Sequence, residues 1–252
     1  MVLPPGKKIY FLSDFHLGSP DQPSSLVREK KIVKFLDEIK SDAGIIFILG
    51  DLFDFWFEYK KVVPKGFVRI LGKLAELTDS GIAIHFFVGN HDMWMNGYFE
   101  KELNIDVSHE PKEYEFDGKT FLIGHGDGLG PGDHRYKFMK KIFRNKLSQK
   151  LFGMLHPSTG IGMADYFSRK SRASAAKEEE TFLGEEKEWL IIYAKEKLKE
   201  KHFDFFIFGH RHLPIVHQLD KNSVYINLGD WIHYDSYAVF ENGKVSLKYY
   251  KP

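Results

Sequence analysis

Cysteine is missing from all 252 residues. Its absence excludes a disulfide framework, thiolate zinc sites and a cysteine nucleophile, so any metal must rest on His, Asp, Glu or Asn. Long apolar runs are missing too. The N-terminal MVLPPGKKIYFLSDFHLG holds only a short apolar stretch that stops at Asp14. That is too short for a signal peptide or a bilayer span, and no later stretch is long enough to cross. A cytoplasmic protein is expected, with room for peripheral contact at the cytoplasmic membrane face. Net charge is small as well, formally +1 from 36 Lys and Arg against 35 Asp and Glu. The balance hides an uneven distribution: His134 to Phe152 carries seven Lys or Arg and no Asp or Glu, whereas Lys177 to Glu200 is rich in Glu. Internal repeats and low-complexity linkers are lacking, and residues 1–252 read as a single domain.

What is present is a 43% hydrophobic and 15% aromatic composition, which suits a packed globular chain. Short apolar runs at Lys8–Ser13, Ile45–Leu49 and Ile82–Val88 read as buried strands. Helical patterns from about Ser24 to Lys40 and from about Pro64 to Leu77 separate them. That alternation predicts a mainly parallel sheet covered by helices. Lys112–Phe116 and Thr120–Ile123 flank an Asp117-Gly118 hairpin turn, Phe203–Phe208 is another buried strand, and Val224–Leu228 and the Asn242-Gly243 hairpin look antiparallel. Residues 134–200 read as helical. The expected layout is one α/β sandwich with a helical insertion at 134–200.

Five predicted strand ends carry polar motifs: Asp14-x-His16, Gly50-Asp51-x-x-Asp54, Gly89-Asn90-His91-Asp92, Gly124-His125 and Gly209-His210-x-His212. The crevice beyond the carboxyl ends of strands is where open α/β sheets bind ligands, so the five motifs should converge. Glycine before four of the ligands is expected to let the backbone turn sharply as it leaves the sheet. Imidazole, carboxylate and amide oxygens together suit two divalent ions, Mn²⁺ first, with Fe²⁺, Zn²⁺ and Mg²⁺ compatible. Asp51 is read as the bridging ligand. Asp14, His16 and His212 would complete one site, and Asn90, His125 and His210 the other. Two ions so held can clamp a phosphoryl oxygen and activate water near neutral pH. Each motif alone would be an ordinary turn; five compatible motifs in order are not. The remaining histidines, 85, 109, 134, 156, 202, 217 and 233, match none of them.

DFHLG, GDLFD, GNHD, GH and GHRH resemble, in order and over most of the chain, the calcineurin-like metallophosphoesterase superfamily. The resemblance implies a four-layer α/β/β/α sandwich and a metal-dependent hydrolase. It also implies that His91 is not a ligand but stabilises or protonates the leaving oxygen, with Asp54 orienting it. Within the superfamily the chain is most similar to the UDP-2,3-diacylglucosamine diphosphatase family of lipid A biosynthesis. YFLSDFHLG, the aromatic-rich DLFDFWFEY, GHGD followed by Asp133, and the helical stretch before GHRH carry that narrower likeness. It implies a lipid-linked nucleotide as partner, a helical lid over its acyl chains, and substrate contacts from Asn90, His91, Asp133 and His210. Ser171, Arg172 and Lys177 lie where the family has polar residues facing glucosamine and phosphate, although their spacing does not match cleanly. One position departs from the pattern: many family members have Arg where this chain has His91.

Within the insertion, Tyr136, Met139, Phe143, Leu147 and Leu151 recur at helical spacing as one apolar stripe, and Lys and Arg occupy much of the rest. A basic amphipathic helix suits an anionic lipid surface; the plainer reading packs the stripe on the domain and leaves the lysines in solvent. Trp56 reads as a core or rim aromatic. Two alternatives stand beside the lipid reading. One is a metallophosphoesterase for another nucleotide, phosphodiester or pyrophosphate substrate. The other is a non-catalytic scaffold, disfavoured because the ligands and His91 are all present. Nucleic acid is not an expected partner, because the basic stretch lacks base-reading or stacking motifs.

Overall fold

Strand β1 (Lys8–Leu12) is buried on both faces, and its side chains alternate between two cores. Ile9 and Phe11 face one apolar cluster, Tyr10 and Leu12 another. The same period-two division runs through β2 (Ala43–Ile48), where Ile45 and Phe47 face one side and Ile46 and Ile48 the other. This explains why these strands read as continuous apolar runs: both faces are covered. The computed structural model describes residues 1–132, 134–175 and 181–251, without the side chains of Arg135 and residues 169–175.

After β1 come α1 (Gln22–Ile39), β2, α2 (Val68–Asp79), β3 (Ala83–Phe87), α3 (Tyr98–Leu103) and β4 (Asp106–Ser108). Then follow β5 (Lys112–Phe116), β6 (Lys119–Gly124), α4 (His134–Arg144), α5 (Lys146–Phe152), α6 (Pro157–Ala175) and α7 (Trp189–Glu200). The chain closes with β7 (Phe205–Phe208), β8 (Pro214–Gln218), β9 (Val224–Leu228), β10 (Ser236–Glu241) and β11 (Lys244–Tyr249). A six-stranded sheet runs β11-β10-β1-β2-β3-β4, with β1 to β4 parallel, and a five-stranded sheet runs β5-β6-β7-β9-β8. Phe11, Phe47, Phe121, Ile207 and Ile226 fill the space between the sheets. Helices α1 and α2 cover the outer face of the first sheet, while Leu190, Ile191 and Ala194 of α7 pack on Leu122, Phe206 and Phe208 of the second. The result is the α/β/β/α layering expected from the motifs.

Local chemistry fixes the elements that aim the site. Asp21 caps α1 by accepting from the Ser24 N–H at 2.8 Å. Helix α2 starts at Phe67, which offers no side-chain cap; instead Glu29 of α1 accepts from the Arg69 and Ile70 N–H groups at 3.0 and 3.1 Å. The neighbouring Arg28, also buried, reaches back to donate to the carbonyls of Phe15 and His16, both at 2.7 Å, and to that of Ser19. A single turn of α1 therefore fixes both the start of α2 and the loop that leaves β1.

Asp204 pins the start of β7 to β6. It accepts from the Lys119 ammonium and the Thr120 N–H at 2.8 Å, and from the Thr120 hydroxyl at 3.0 Å. Burial by itself would raise its pKa, but these donors outweigh it and hold the carboxyl below its ordinary value. A depressed folded-state pKa contributes stability above the unfolded pKa of about 4, and that contribution disappears as pH falls through the folded value. Asp204→Asn is accordingly expected to destabilise the protein by about 1–2 kcal/mol at pH 7. Urea titrations from pH 7 to 3 should show the gap to the parent closing only below about pH 4; a gap independent of pH would contradict this assignment.

The structure adds three short elements that the sequence patterns did not signal, α3, β4 and β8. It also breaks the basic stretch in two. Asn145 caps a new helix by accepting from Leu147 N–H at 2.8 Å, so the Tyr136–Leu151 stripe does not lie on one rod. That stripe packs on the domain only in part, with Tyr136 bonded to Asp127 and the Phe143 ring edge-on to Trp94. Met139, Phe143, Leu147 and Leu151 are exposed, and basic residues turn inward: Lys140 pairs with Asp127 at 2.6 Å and Arg144 with Glu110. Trp56 is fully buried and stacks on Phe53.

Candidate metal centre and catalytic pair

Five of the seven candidate ligands adopt the left-handed backbone conformation: Asp14, His16, Asp51, His210 and His212, with φ between 45° and 66°. Each such non-glycine residue costs about 1–3 kcal/mol, which persists only where the surroundings over-determine it. The loops supply that constraint by bonding to one another. Asp14 N–H donates to Gly50 O at 3.1 Å and His16 N–H to Asp51 O at 2.8 Å, which lays the loop after β1 along the loop after β2. His210 N–H donates to Asp14 Oδ2 at 3.0 Å, and Gly209 N–H to His125 O at 2.9 Å, which brings in the loops after β6 and β7.

The glycines serve mainly by lacking a side chain. Of those before the ligands, Gly50 has a positive φ, as the turn argument anticipated. Gly89 and Gly209 are needed for room: a Cβ on Gly89 would fall on Asp51 Oδ1, and one on Gly209 would lie 2.5 Å from Asp14 Oδ2.

The side chains then converge as two overlapping groups. His16 Nε2 lies 3.6 Å from Asp14 Oδ1, 3.7 Å from Asp51 Oδ2 and 3.0 Å from His212 Nε2, and His212 Nε2 lies 3.1 Å from Asp14 Oδ1. On the other side, His125 Nε2 lies 3.4 Å from Asp51 Oδ2 and 3.2 Å from Asn90 Oδ1, which is 2.9 Å from His210 Nδ1. Asp51 Oδ2 is thus the atom common to both groups. Asp14 Oδ1 and Asp51 Oδ2 are buried and accept no hydrogen bond among the described residues, which an apolar or purely structural site would not tolerate. Two buried carboxylate oxygens ringed by imidazole nitrogens and an amide oxygen are the donor set of a divalent cation centre, so the residues fit the group. Electrostatics agree. Burial alone would raise Asp51, yet His125 and His91 outweigh it and hold the carboxyl below the usual range. Burial alone would lower His125, but Asp51 carries it up to about 10, whereas burial and then the His125 charge push His210 down to about 4.

Asp54 does more than the resemblance implies. Its Oδ1 lies 3.7 Å from His91 Nδ1 and 3.6 Å from His16 Nδ1, so one carboxylate backs both rings. His91 Nδ1 is also 3.0 Å from the Asp54 carbonyl oxygen. A carbonyl only accepts, so Nδ1 is an N–H donor and Nε2 is the nitrogen left for chemistry. The His91 N–H donates to Asp51 Oδ1 at 2.9 Å.

Several supporting residues were not legible as such. Asp92, fully buried, accepts from Gly89 and Leu52 N–H groups at 2.8 Å and from Asp51 N–H at 3.3 Å, stapling the GDLFD and GNHD loops together. Burial and the Asp51 charge push its carboxyl up to about 7. Asp230 places a carboxylate oxygen 4.0 Å from His212 Nδ1. Its other oxygen accepts from the His233 N–H at 2.8 Å, so His233 meets the periphery of the site through it. Tyr136 donates to Asp127 Oδ2 at 2.5 Å, fixing α4 to the GHGD loop. Ser168 of α6 donates to Asp54 Oδ2 at 2.8 Å. Of the remaining sequence candidates, Asp133 and Lys177 lie outside the described residues; Ser171 and Arg172 fall in α6, their side chains outside the description.

A family model described as calcineurin-like phosphoesterase matches residues 7–214. The chain belongs to that family. Among curated relatives, a protein named UDP-2,3-diacylglucosamine hydrolase from Porphyromonas gingivalis is 42% identical over 253 residues, covering 96% of this chain and 97% of that one. A relative of the same name from a Shewanella species is 28% identical and covers 88% of each chain; one from Proteus mirabilis is 29% identical, covering 83% and 84%. This calcineurin-like phosphoesterase is a metal-dependent hydrolase.

Proposed function

We propose that the protein hydrolyses the pyrophosphate of UDP-2,3-diacylglucosamine, releasing UMP and 2,3-diacylglucosamine 1-phosphate for lipid A biosynthesis. The observation that carries this reading is 42% identity, end to end, to a relative so named, with the seven candidate ligands all present and converging. Two divalent ions, Mn²⁺ by preference, would polarise the phosphate and supply an activated water. Asp14, His16, Asp51 and His212 would hold one, and Asp51, Asn90, His125 and His210 the other. Water attacks the α-phosphorus, and the bond to the bridging oxygen breaks. That oxygen leaves with the lipid phosphate, and His91, carrying a proton on each ring nitrogen, stabilises or protonates it from Nε2–H while the Asp54 carbonyl and carboxylate hold its Nδ1–H.

Of the helical insertion expected at 134–200, α7 packs on the second sheet, and helices α4 to α6 are the proposed lid. Phe138, Met139, Ile142, Leu147, Leu151, Met163, Tyr166 and Phe167 are all exposed on them, an apolar surface with no other evident use in a water-facing position. Lysines interleave with it in α4 and α5, which suits acyl chains and an anionic bilayer together and supports peripheral contact at the cytoplasmic membrane face. No helix among the described residues is long and apolar enough to cross a membrane.

The test is UMP release from UDP-2,3-diacylglucosamine with Mn²⁺ in mild detergent, beside bis-p-nitrophenyl phosphate as a generic substrate. Lipid turnover far above the generic rate is expected, and His91→Ala should lower kcat by about 10²–10⁴-fold. Generic turnover without lipid turnover would sink the lipid assignment and keep the hydrolase.

A further inference from the structure

Among the described side chains, helix α6 reaches the catalytic pair through the Ser168 hydroxyl. Ser168 donates to Asp54 Oδ2 at 2.8 Å, and the same oxygen lies 3.2 Å from His91 Nδ1. A serine inside a helix ordinarily turns its hydroxyl to a backbone carbonyl one turn earlier. Here it bonds to a carboxylate 114 positions away in sequence. A hydroxyl has one proton, and that proton is committed to Asp54. Its lone pairs therefore face His91, and the contact holds only if Nδ1 is an N–H donor. Ser168 thus requires the same Nδ1–H donor as the Asp54 carbonyl does.

We propose that Ser168 is a positioning residue for His91: it fixes the ring and its Nδ1–H jointly with Asp54, and it does so from the proposed lid. The inference rests on the phosphoester-hydrolase reading, not on the identity of the lipid. Without the hydroxyl, Asp54 Oδ2 loses a donor and the His91 N–H loses one of its acceptors, so the ring spends less time with Nε2 toward the leaving oxygen. Ser168 does not touch the candidate metal ligands in this arrangement, so its removal acts on turnover and leaves binding alone. Because the residue is carried by α6, the catalytic pair is complete when that helix is docked.

Ser168→Ala and Ser168→Thr, each made in the parent and in His91→Ala, separate this role from a structural one. Kinetics are read with Mn²⁺ on bis-p-nitrophenyl phosphate and on UDP-2,3-diacylglucosamine. In the parent, Ser168→Ala should lower kcat about 10-fold on whichever substrate is turned over, with KM within about twofold. Ser168→Thr, which keeps the hydroxyl, should restore it. In His91→Ala the Ser168→Ala change should do nothing further, since the group it positions is gone. An unchanged kcat, an equal loss without His91, or a Thr variant as impaired as Ala would each overturn the proposal. Turnover of the generic substrate alone would defeat the lipid assignment while leaving every Ser168 comparison readable.

Discussion

Asp51→Asn is expected to lower kcat/KM by about 10³-fold or more and to strip metal from both halves of the centre. The expectation comes from how the two oxygens of Asp51 are used. Oδ1 already accepts from the His91 N–H at 2.9 Å. Oδ2 accepts no hydrogen bond among the described residues and sits 3.4 Å from His125 Nε2 and 3.7 Å from His16 Nε2, where the two groups of candidate ligands meet. Asparagine has nearly the same shape but only one acceptor. Its carbonyl oxygen must stay on the His91 N–H, or that buried donor loses its partner at a cost of about 1–3 kcal/mol. The NH₂ is then forced to the Oδ2 position, where it presents donors to the place a cation would occupy. Asn90→Ala is a useful contrast, because among the described residues Asn90 Oδ1 bonds on the His125 and His210 side. Metal content after gel filtration, measured with kinetics, distinguishes the two: Asp51→Asn should lose both ions and Asn90→Ala chiefly one. An Asp51→Asn protein that keeps two ions and parental turnover would remove Asp51 from the bridging role.

The parts of this molecule that sequence reading reached share a physical property. Strands β1, β2, β3, β6 and β7 are buried on both faces, so each is a short apolar run that ends abruptly at a polar motif. The fold, and which candidate ligands would converge, were legible for that reason. The β5–β6 and β10–β11 hairpins were legible because Asp117-Gly118 and Asn242-Gly243 are turn pairs, and all four residues adopt positive φ. By contrast α3 spans 6 residues and β4 spans 3, too few for any period to register. β8 begins with proline and continues the GHRH loop, which masks it as a strand. The Tyr136–Leu151 stripe misled because its phase continues across Asn145, where the chain caps and restarts. Its exposure was not foreseeable either, since amphipathicity shows which residues share a face and not what covers it. Asp92 stood inside a recognised motif, yet its work depends on the loops after β2 and β3 meeting, which no local pattern encodes. Ser168 is the extreme case, a serine in a helix whose partner is set entirely by how α6 docks.

Gly89→Ala adds a single methyl group far simpler than any ligand change, and its effect should be nearly as large. Gly89 lies outside the left-handed region, so alanine suits its backbone; the difficulty is space. The new Cβ would fall on Asp51 Oδ1 and 2.6 Å from Asp51 N. Neither atom can retreat cheaply. Asp51 holds a left-handed φ of 53°, its Oδ1 carries the His91 N–H bond, and its N–H points at Asp92, which bonds to Gly89 N–H as well. The GDLFD and GNHD loops would have to part, and displacement of about 1 Å at a catalytic centre already costs about 10²-fold in rate. The expected result is a folded protein, destabilised by about 1–3 kcal/mol from overpacking, that binds metal poorly and turns over at least about 10²-fold more slowly. Gly72→Ala is the control: it lies in α2 with nothing within 4 Å of a Cβ and an ordinary φ, so it should be neutral or stabilising by up to about 1 kcal/mol. Should Gly89→Ala match Gly72→Ala in metal content and turnover, the two loops would be free to yield. The left-handed candidate ligands would then owe their geometry to a bound cation instead of to the stitching between loops.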